Sequence, residues 1–167
     1  MIIHCTRKLA AKLPVVSGTP LTETSPLGSW HANLYSIDRR NCVLFCHDEL
    51  RYTLFLPGLR KPQFAELGRW FRELFTASLA YTGMSDNQVR RAELALGPVA
   101  FDTCTDRSVL GSLNQMRFLL DGRVSEVSDV MLLNPLSVNR WLCHYPVRRG
   151  KAVWMADEAM CERVAAL

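Results

Sequence analysis

The sequence predicts an α+β domain in which a small antiparallel β meander packs against several α-helices. Three observations predict it. Between Trp30 and Leu56, β-prone runs alternate with short polar breaks; from Pro62 to Tyr81, apolar residues recur at helical spacing; and later stretches pair helix caps with glycine or proline stops. With 167 residues the chain has a usual size for one domain around one core, and no repeat, low-complexity tract or linker divides residues 1–167.

The elements follow in order. Met1 to Cys5 reads as a strand, and Thr6 caps a brief basic helix to about Leu13, stopped by Pro14. Pro14 to Ser29, rich in Pro, Ser, Thr and Gly, reads as a loop. Trp30–Ile37, Cys42–His47 and Tyr52–Leu56 are the runs of the meander, separated by turns at Asp38–Asn41 and Asp48–Arg51. A long helix then starts with Pro62 in its first turn and runs to about Tyr81, with Gly83 beyond. Phe64, Leu67, Phe71, Phe75 and Leu79 form its core face. Trp70, Leu74 and Tyr81 form a second stripe, which is either covered by another element or placed in a symmetric contact between copies of the chain.

Ser85 and Gln88 have the spacing of a capping box for a helix over residues 86–96, ended by Gly97. Val99–Thr103 reads as a strand. Thr105 and Asp106 precede a helix from Arg107 to Leu120, closed by Asp121 and Gly122. A helical segment is expected at Val127–Leu133, and Asn134–Pro135 opens another helix with a cap and a first-turn proline. Arg148–Lys151 is a turn between short extended pieces, and Asp157 opens a terminal helix.

Composition narrows the functional classes. Apolar residues make up 49% and charged residues 22%, which is far from a disordered profile. The net charge of +4 is too small to set up a strong field over the whole surface, so nucleic acid is permitted rather than implied. Basic pairs such as Arg39–Arg40 and Arg148–Arg149 fall in turns, where charge is usually just solvated. The six cysteines sit mostly in apolar stretches and read as reduced. Arg7, Lys8 and Lys12 interrupt the first apolar stretch, and no run is long enough to span a bilayer. The expectation is a cytoplasmic protein with no membrane attachment.

Chemistry-bearing patterns are sparse. Cys42 and Cys46 share a strand face but lie roughly 13 Å apart, too far to ligate one zinc ion. No C-x-x-C, H-E-x-x-H, G-x-S-x-G or phosphate-loop pattern occurs, so neither metal nor cofactor is expected. If Arg39 and Arg40 form a two-residue turn, His31 falls opposite Asp48 on one face of the meander and His47 falls on the other. His31–Asp48 would then pair an orienting carboxylate with a base. Asp106, Arg107 and Ser108 mark a helix start that either caps itself or, through free N–H groups and Arg107, receives an anion. Ser108, Gly111, Ser112 and Gln115 line one side of that helix and allow a close approach by another helix or a ligand.

Two stretches, Gly28–Phe45 continuing to Leu56–Lys61, and Asp106–Met116, carry the patterns W-x-A-N-L-x-x-I-D-R-R and D-R-S-V-L-G-S-L-N-Q-M. With the opening M-I-I-H-C-T they resemble an uncharacterised bacterial family of about this length. The resemblance implies a bacterial cytoplasmic origin and supplies no activity or catalytic residues. The leading expectation is therefore a non-enzymatic binding or interaction module with an anion or nucleic-acid surface near Arg39, Arg40, Arg107, Ser108 and Asn114. The alternative is a metal-independent phosphoester hydrolase or small nuclease, with His31 or His47 as base and Arg107 stabilising phosphate charge. The partner class stays open among nucleic acid, protein and a second copy of the chain.

Overall fold

A computed structural model describes residues 1–167. Five strands, β1 (Ile2–Cys5), β2 (Trp30–Ile37), β3 (Arg40–His47), β4 (Thr53–Leu59) and β5 (Ala100–Asp102), form one sheet in the order β4-β3-β2-β1-β5. The expected antiparallel meander is its β2-β3-β4 half. The other half is parallel, because the amino-terminal strand inserts between β2 and β5 and runs in the direction of both.

Strand alternation sorts the side chains into two layers. Trp30, Ala32 and Leu34 of β2, with Val43 and Phe45 of β3, enter a core that also contains Phe71, Phe75 and Leu79. Trp30 is fully buried there, edge-on to Phe71 and Phe75 at ring separations of 4.9 and 5.6 Å. Those phenylalanines belong to α3 (Leu67–Tyr81), which follows the short helix α2 (Lys61–Ala65). Helix α1 (Arg7–Ala10) adds Leu9, α4 (Asp86–Leu96) adds Ala92 and Leu96, and the terminal helix adds Met160 and Val164. On the opposite face, Cys42, Leu44, Cys46 and Phe55 meet Val109, Leu113, Met116 and Leu120, a stripe at helical spacing on α5 (Arg107–Val124).

Helix α6 (Pro135–Cys143) closes the β4 edge and contributes to both layers, Cys143 to one and Val138 and Leu142 to the other. An open strand edge presents unpaired backbone groups. Here the Phe55 N–H donates to Asn139 Oδ1 at 2.7 Å, and the Thr53 N–H points at Cys143 Sγ at 3.2 Å. The Asn139 amide in turn donates to Ser78 Oγ on α3 at 3.0 Å. A two-stranded ribbon, β6 (Pro146–Arg149) and β7 (Ala152–Met155), leads into α7 (Ala156–Ala165).

Several boundaries differ from the sequence expectation. The two-residue turn is Asp38–Arg39, both at positive φ, so Arg40 joins β3 and Trp30 pairs with His47. Aspartate tolerates this left-handed conformation and seeds such hairpin turns, so Asp38 takes the first turn position and Arg39 the second. Thr6 makes no side-chain cap; its hydroxyl is drawn to Asn33 instead, and α1 ends at Ala10. The long helix breaks at Glu66, a step invisible to periodicity because Phe64 and Leu67 are buried on either side of it. Of the Trp70, Leu74 and Tyr81 stripe, Leu74 is buried and Tyr81 exposed. Helix α5 passes through Asp121 and Gly122 to Val124, held by the Arg117–Asp121 ion pair one turn apart. Residues 127–133 yield only a 3-10 turn at Val130–Leu132, and Met155 rather than Asp157 precedes α7.

Replacing Asn139 with leucine strands the Phe55 N–H at a buried edge. The expected loss is about 1–3 kcal/mol of unfolding free energy in a denaturant titration.

Candidate functional site

The sheet register sets three polar side chains in a row, since His4 of β1 pairs with Asp102 of β5 on one side and with His31 of β2 on the other. All three lie on the α5 side of the sheet. The His4 and His31 rings are 4.9 Å apart. Asp102 has no solvent exposure, and its carboxylate receives His4 Nδ1 at 2.6 Å and the N–H groups of Leu21 and Cys104, each at 3.0 Å. Burial alone pushes this carboxyl up, but the Leu21 N–H, His4 and the Cys104 N–H outweigh it and hold it below the usual carboxylate value.

Asp48, just past β3, completes the array. Its carboxylate takes His31 Nδ1 at 2.6 Å and the Ser29 hydroxyl at 3.0 Å. His31 Nε2 accepts the Asp106 backbone N–H at 2.6 Å, so Nδ1 carries the proton and the imidazole is neutral. Asp106 caps α5 by accepting the N–H groups of Ser108 and Val109 at 2.7 and 3.1 Å, and those bonds hold its carboxyl below its ordinary value. Arg51, nearly buried and at positive φ, donates to the Asp48 carbonyl and to Ser108 Oγ, the latter at 3.0 Å. The cluster therefore fastens the start of α5 to the sheet.

The expected His31–Asp48 pair is present, reached by a different register. His31 lies opposite Cys46, and the two-residue shift keeps its face while Asp48 reaches back from beyond the strand. His47 lies on the other face, fully buried, its Nε2–H donating to the Leu27 carbonyl at 2.5 Å and its Nδ1 receiving the N–H groups of Glu49 and Leu50. Both ring nitrogens of His31 and of His47 are thus engaged. His4 Nε2 is the imidazole nitrogen of the cluster outside hydrogen-bond range, 3.7 Å from Asp48 Oδ2, on a side chain 14% exposed. Chemically this is a carboxylate–imidazole dyad with one nitrogen able to take up a proton.

The remaining expected residues disperse. Arg39 and Arg40 sit at the far end of the β2–β3 hairpin, about 20 Å from His31 at the usual rise per residue, and Arg40 pairs with Asp129 at 3.2 Å. Arg107 is exposed without an ion-pair partner, and the α5 N–H groups that an anion would use are taken by Asp106. Asn114, two turns along α5, accepts the Tyr35 hydroxyl at 3.1 Å. No three His, Cys, Asp or Glu side chains converge as metal ligands, and the principal clefts are lined by other residues. His4, Asp102 and Arg51 are the members that sequence reading missed. The available signal was a histidine between Ile3 and Cys5, on the strand face those apolar neighbours do not share.

A mixed sheet with helices on both faces and a His–Asp cluster seating one of them defines an α+β domain with a polar clamp at the start of its crossing helix. The chain belongs to DUF6933, a domain of unknown function, which matches residues 2–158. No curated protein and no solved structure matches it. No helix is long and apolar enough to cross a membrane.

His47 gives a pH prediction. Burial, only partly offset by the Leu27 carbonyl, lowers its proton affinity below the ordinary value of 6.5. The unfolded chain then binds the proton more tightly, so stability is full above pH 6.5 and falls as pH drops below it. Denaturant titrations should show a decline below that point, no steeper than the one-proton limit of about 1.4 kcal/mol per pH unit. His47→Gln should remove this component while lowering stability at every pH.

Proposed function

We propose that the domain is a non-enzymatic interaction module that binds through the solvent side of α5. Arg107, Gly111, Asn114, Gln115 and Phe118 share that side at helical spacing. The observation that carries the reading is the pairing of an aromatic ring 76% exposed, Phe118, with Gly111 one face-repeat away, where an added Cβ would meet nothing within 4 Å. A helical glycine costs roughly 1 kcal/mol relative to alanine, and no packing inside the chain requires this one. A partner approaching closely over Gly111 and covering Phe118 accounts for both. The close helix packing expected for Gly111 within the chain is absent. The polar cluster supports the same reading, since its hydrogen bonds anchor the amino-terminal end of the presenting helix.

Gly111→Ala should raise stability by about 1 kcal/mol while weakening partner contact. Contact is read by a photoreactive residue at position 118, with position 94 on α4 as the exposed control. Cross-links at 118 that are absent at 94 and reduced by Gly111→Ala are expected. Equal labelling at both positions, or labelling indifferent to the alanine, removes the reading.

One observation favours a second reading, a metal-independent phosphoester hydrolase. Because the nitrogens of His31 and His47 are engaged, its base becomes His4, oriented by Asp102. Hydrolysis of an activated phosphodiester that falls at least 100-fold in His4→Ala is the expected outcome of that reading. Turnover that is absent, or unchanged by the substitution, eliminates it.

A further inference from the structure

Away from α5's solvent side, the carboxy-terminal third gathers aromatic and cationic groups that the reading above does not use. A cleft of about 280 Å³ lies between Tyr81 at the end of α3 and Trp141 of α6, and is lined also by Ser137, Arg140 and His144. Tyr81 is 44% exposed. The chain leaves this cleft directly into the β6–β7 ribbon, whose Arg148, Arg149 and Lys151 are exposed around a tight turn at Gly150. Arg148 lies four positions after His144, a span of at most about 14 Å.

These cations are unspent. Asp157 pairs with His144 at 3.2 Å, whereas Arg140, Arg148, Arg149 and Lys151 have neither an ion pair nor a side-chain hydrogen bond. Arg7, Lys8, Lys12 and Arg107 also lack an ion pair, so what marks the ribbon is that three such cations meet at a single turn. The overall charge of +4 thus includes three exposed cations gathered at one ribbon turn, a short length of chain from the cleft.

We infer that this cleft and ribbon form a binding site for single-stranded nucleic acid. A base stacks in the cleft against Tyr81, Arg140 flanks it, and neighbouring phosphates lie on Arg148, Arg149 and Lys151. A run of carboxylates such as poly-glutamate would use the cations and leave the ring idle. A duplex would hide the base faces that the ring needs. Only an unpaired strand uses both halves of the site, with stacking on the aromatic and phosphate contacts along a basic track.

The test is fluorescence anisotropy of the full chain with a labelled twelve-nucleotide oligo(dT), over a salt series, with a duplex of equal length and poly-glutamate as competitors. Binding with a Kd on the order of 1–100 µM, weakening steeply with salt, is expected. Arg148→Ala/Arg149→Ala/Lys151→Ala should flatten the log–log salt slope by about 2. Tyr81→Ala should weaken binding roughly tenfold and Tyr81→Phe should restore it. The charge-matched control Arg7→Ala/Lys8→Ala/Lys12→Ala should leave the slope unchanged, and thermal melts confirm that each variant is folded. Absent binding, a slope that changes equally in the control, indifference to Tyr81→Ala, or competition by duplex or poly-glutamate as strong as by the single strand each overturns the inference. None of these outcomes bears on the α5 contact, which cross-linking at position 118 reads separately.

Discussion

The structure depends on the pleat of β2. This strand lies between a parallel neighbour, β1, and an antiparallel one, β3, so it joins the two halves of the sheet. Alternation along it sends Trp30, Ala32 and Leu34 into the aromatic core and turns His31 and Tyr35 toward α5. A one-residue slip would exchange these sets, burying His31 against phenylalanines and exposing Trp30. A shift by an even number does no such damage, which is why the true turn at Asp38–Arg39 preserved the expected faces.

The two faces are stabilised by different physics. On one, Trp30, Phe71 and Phe75 bury large apolar surfaces with ring-edge contacts, and the driving force is removal of that surface from water. On the other, the apolar stripe of α5 covers Leu44 and Phe55, and its amino-terminal end rests on polar groups buried at the margin. Burying those groups is tolerable only because each is paired: Asp102 with three donors, and His31 with an acceptor at one nitrogen and a donor at the other. Together they tie β1, β2, β5 and the segment after β3 to one helix end. The same pairing engages both ring nitrogens of His31 and leaves His4 Nε2 outside hydrogen-bond range.

Reading the sequence located the helices and strands well where the signal was local. Ser85 and Gln88 formed their capping box, Asn134 its cap, and Trp30–Ile37 its strand with both ends as expected. It failed where two local signals conflicted or none existed. Asp121 and Gly122 read as a helix stop, but the Arg117–Asp121 pair and the partly buried Val124 carry α5 past them. The parallel insertion of β1 left no trace in its own residues, since a run of Ile2, Ile3 and Cys5 suits a parallel or an antiparallel neighbour equally. With that insertion unseen, His4 and Asp102, 98 residues apart in sequence, could not be brought together.

Patterning and punctuation along the chain were enough to establish an α+β domain, its meander and the core face of its long helix, because each depends on neighbours within a few dozen residues. Strand order, the two-sided covering of the sheet, the sealing of the β4 edge by Asn139 and the juxtaposition of Tyr81 with Arg140 came from three-dimensional packing. Those features join segments distant in sequence, and the energy that selects them, buried area and satisfied backbone groups, is a property of surfaces that exist only once the chain has closed on itself.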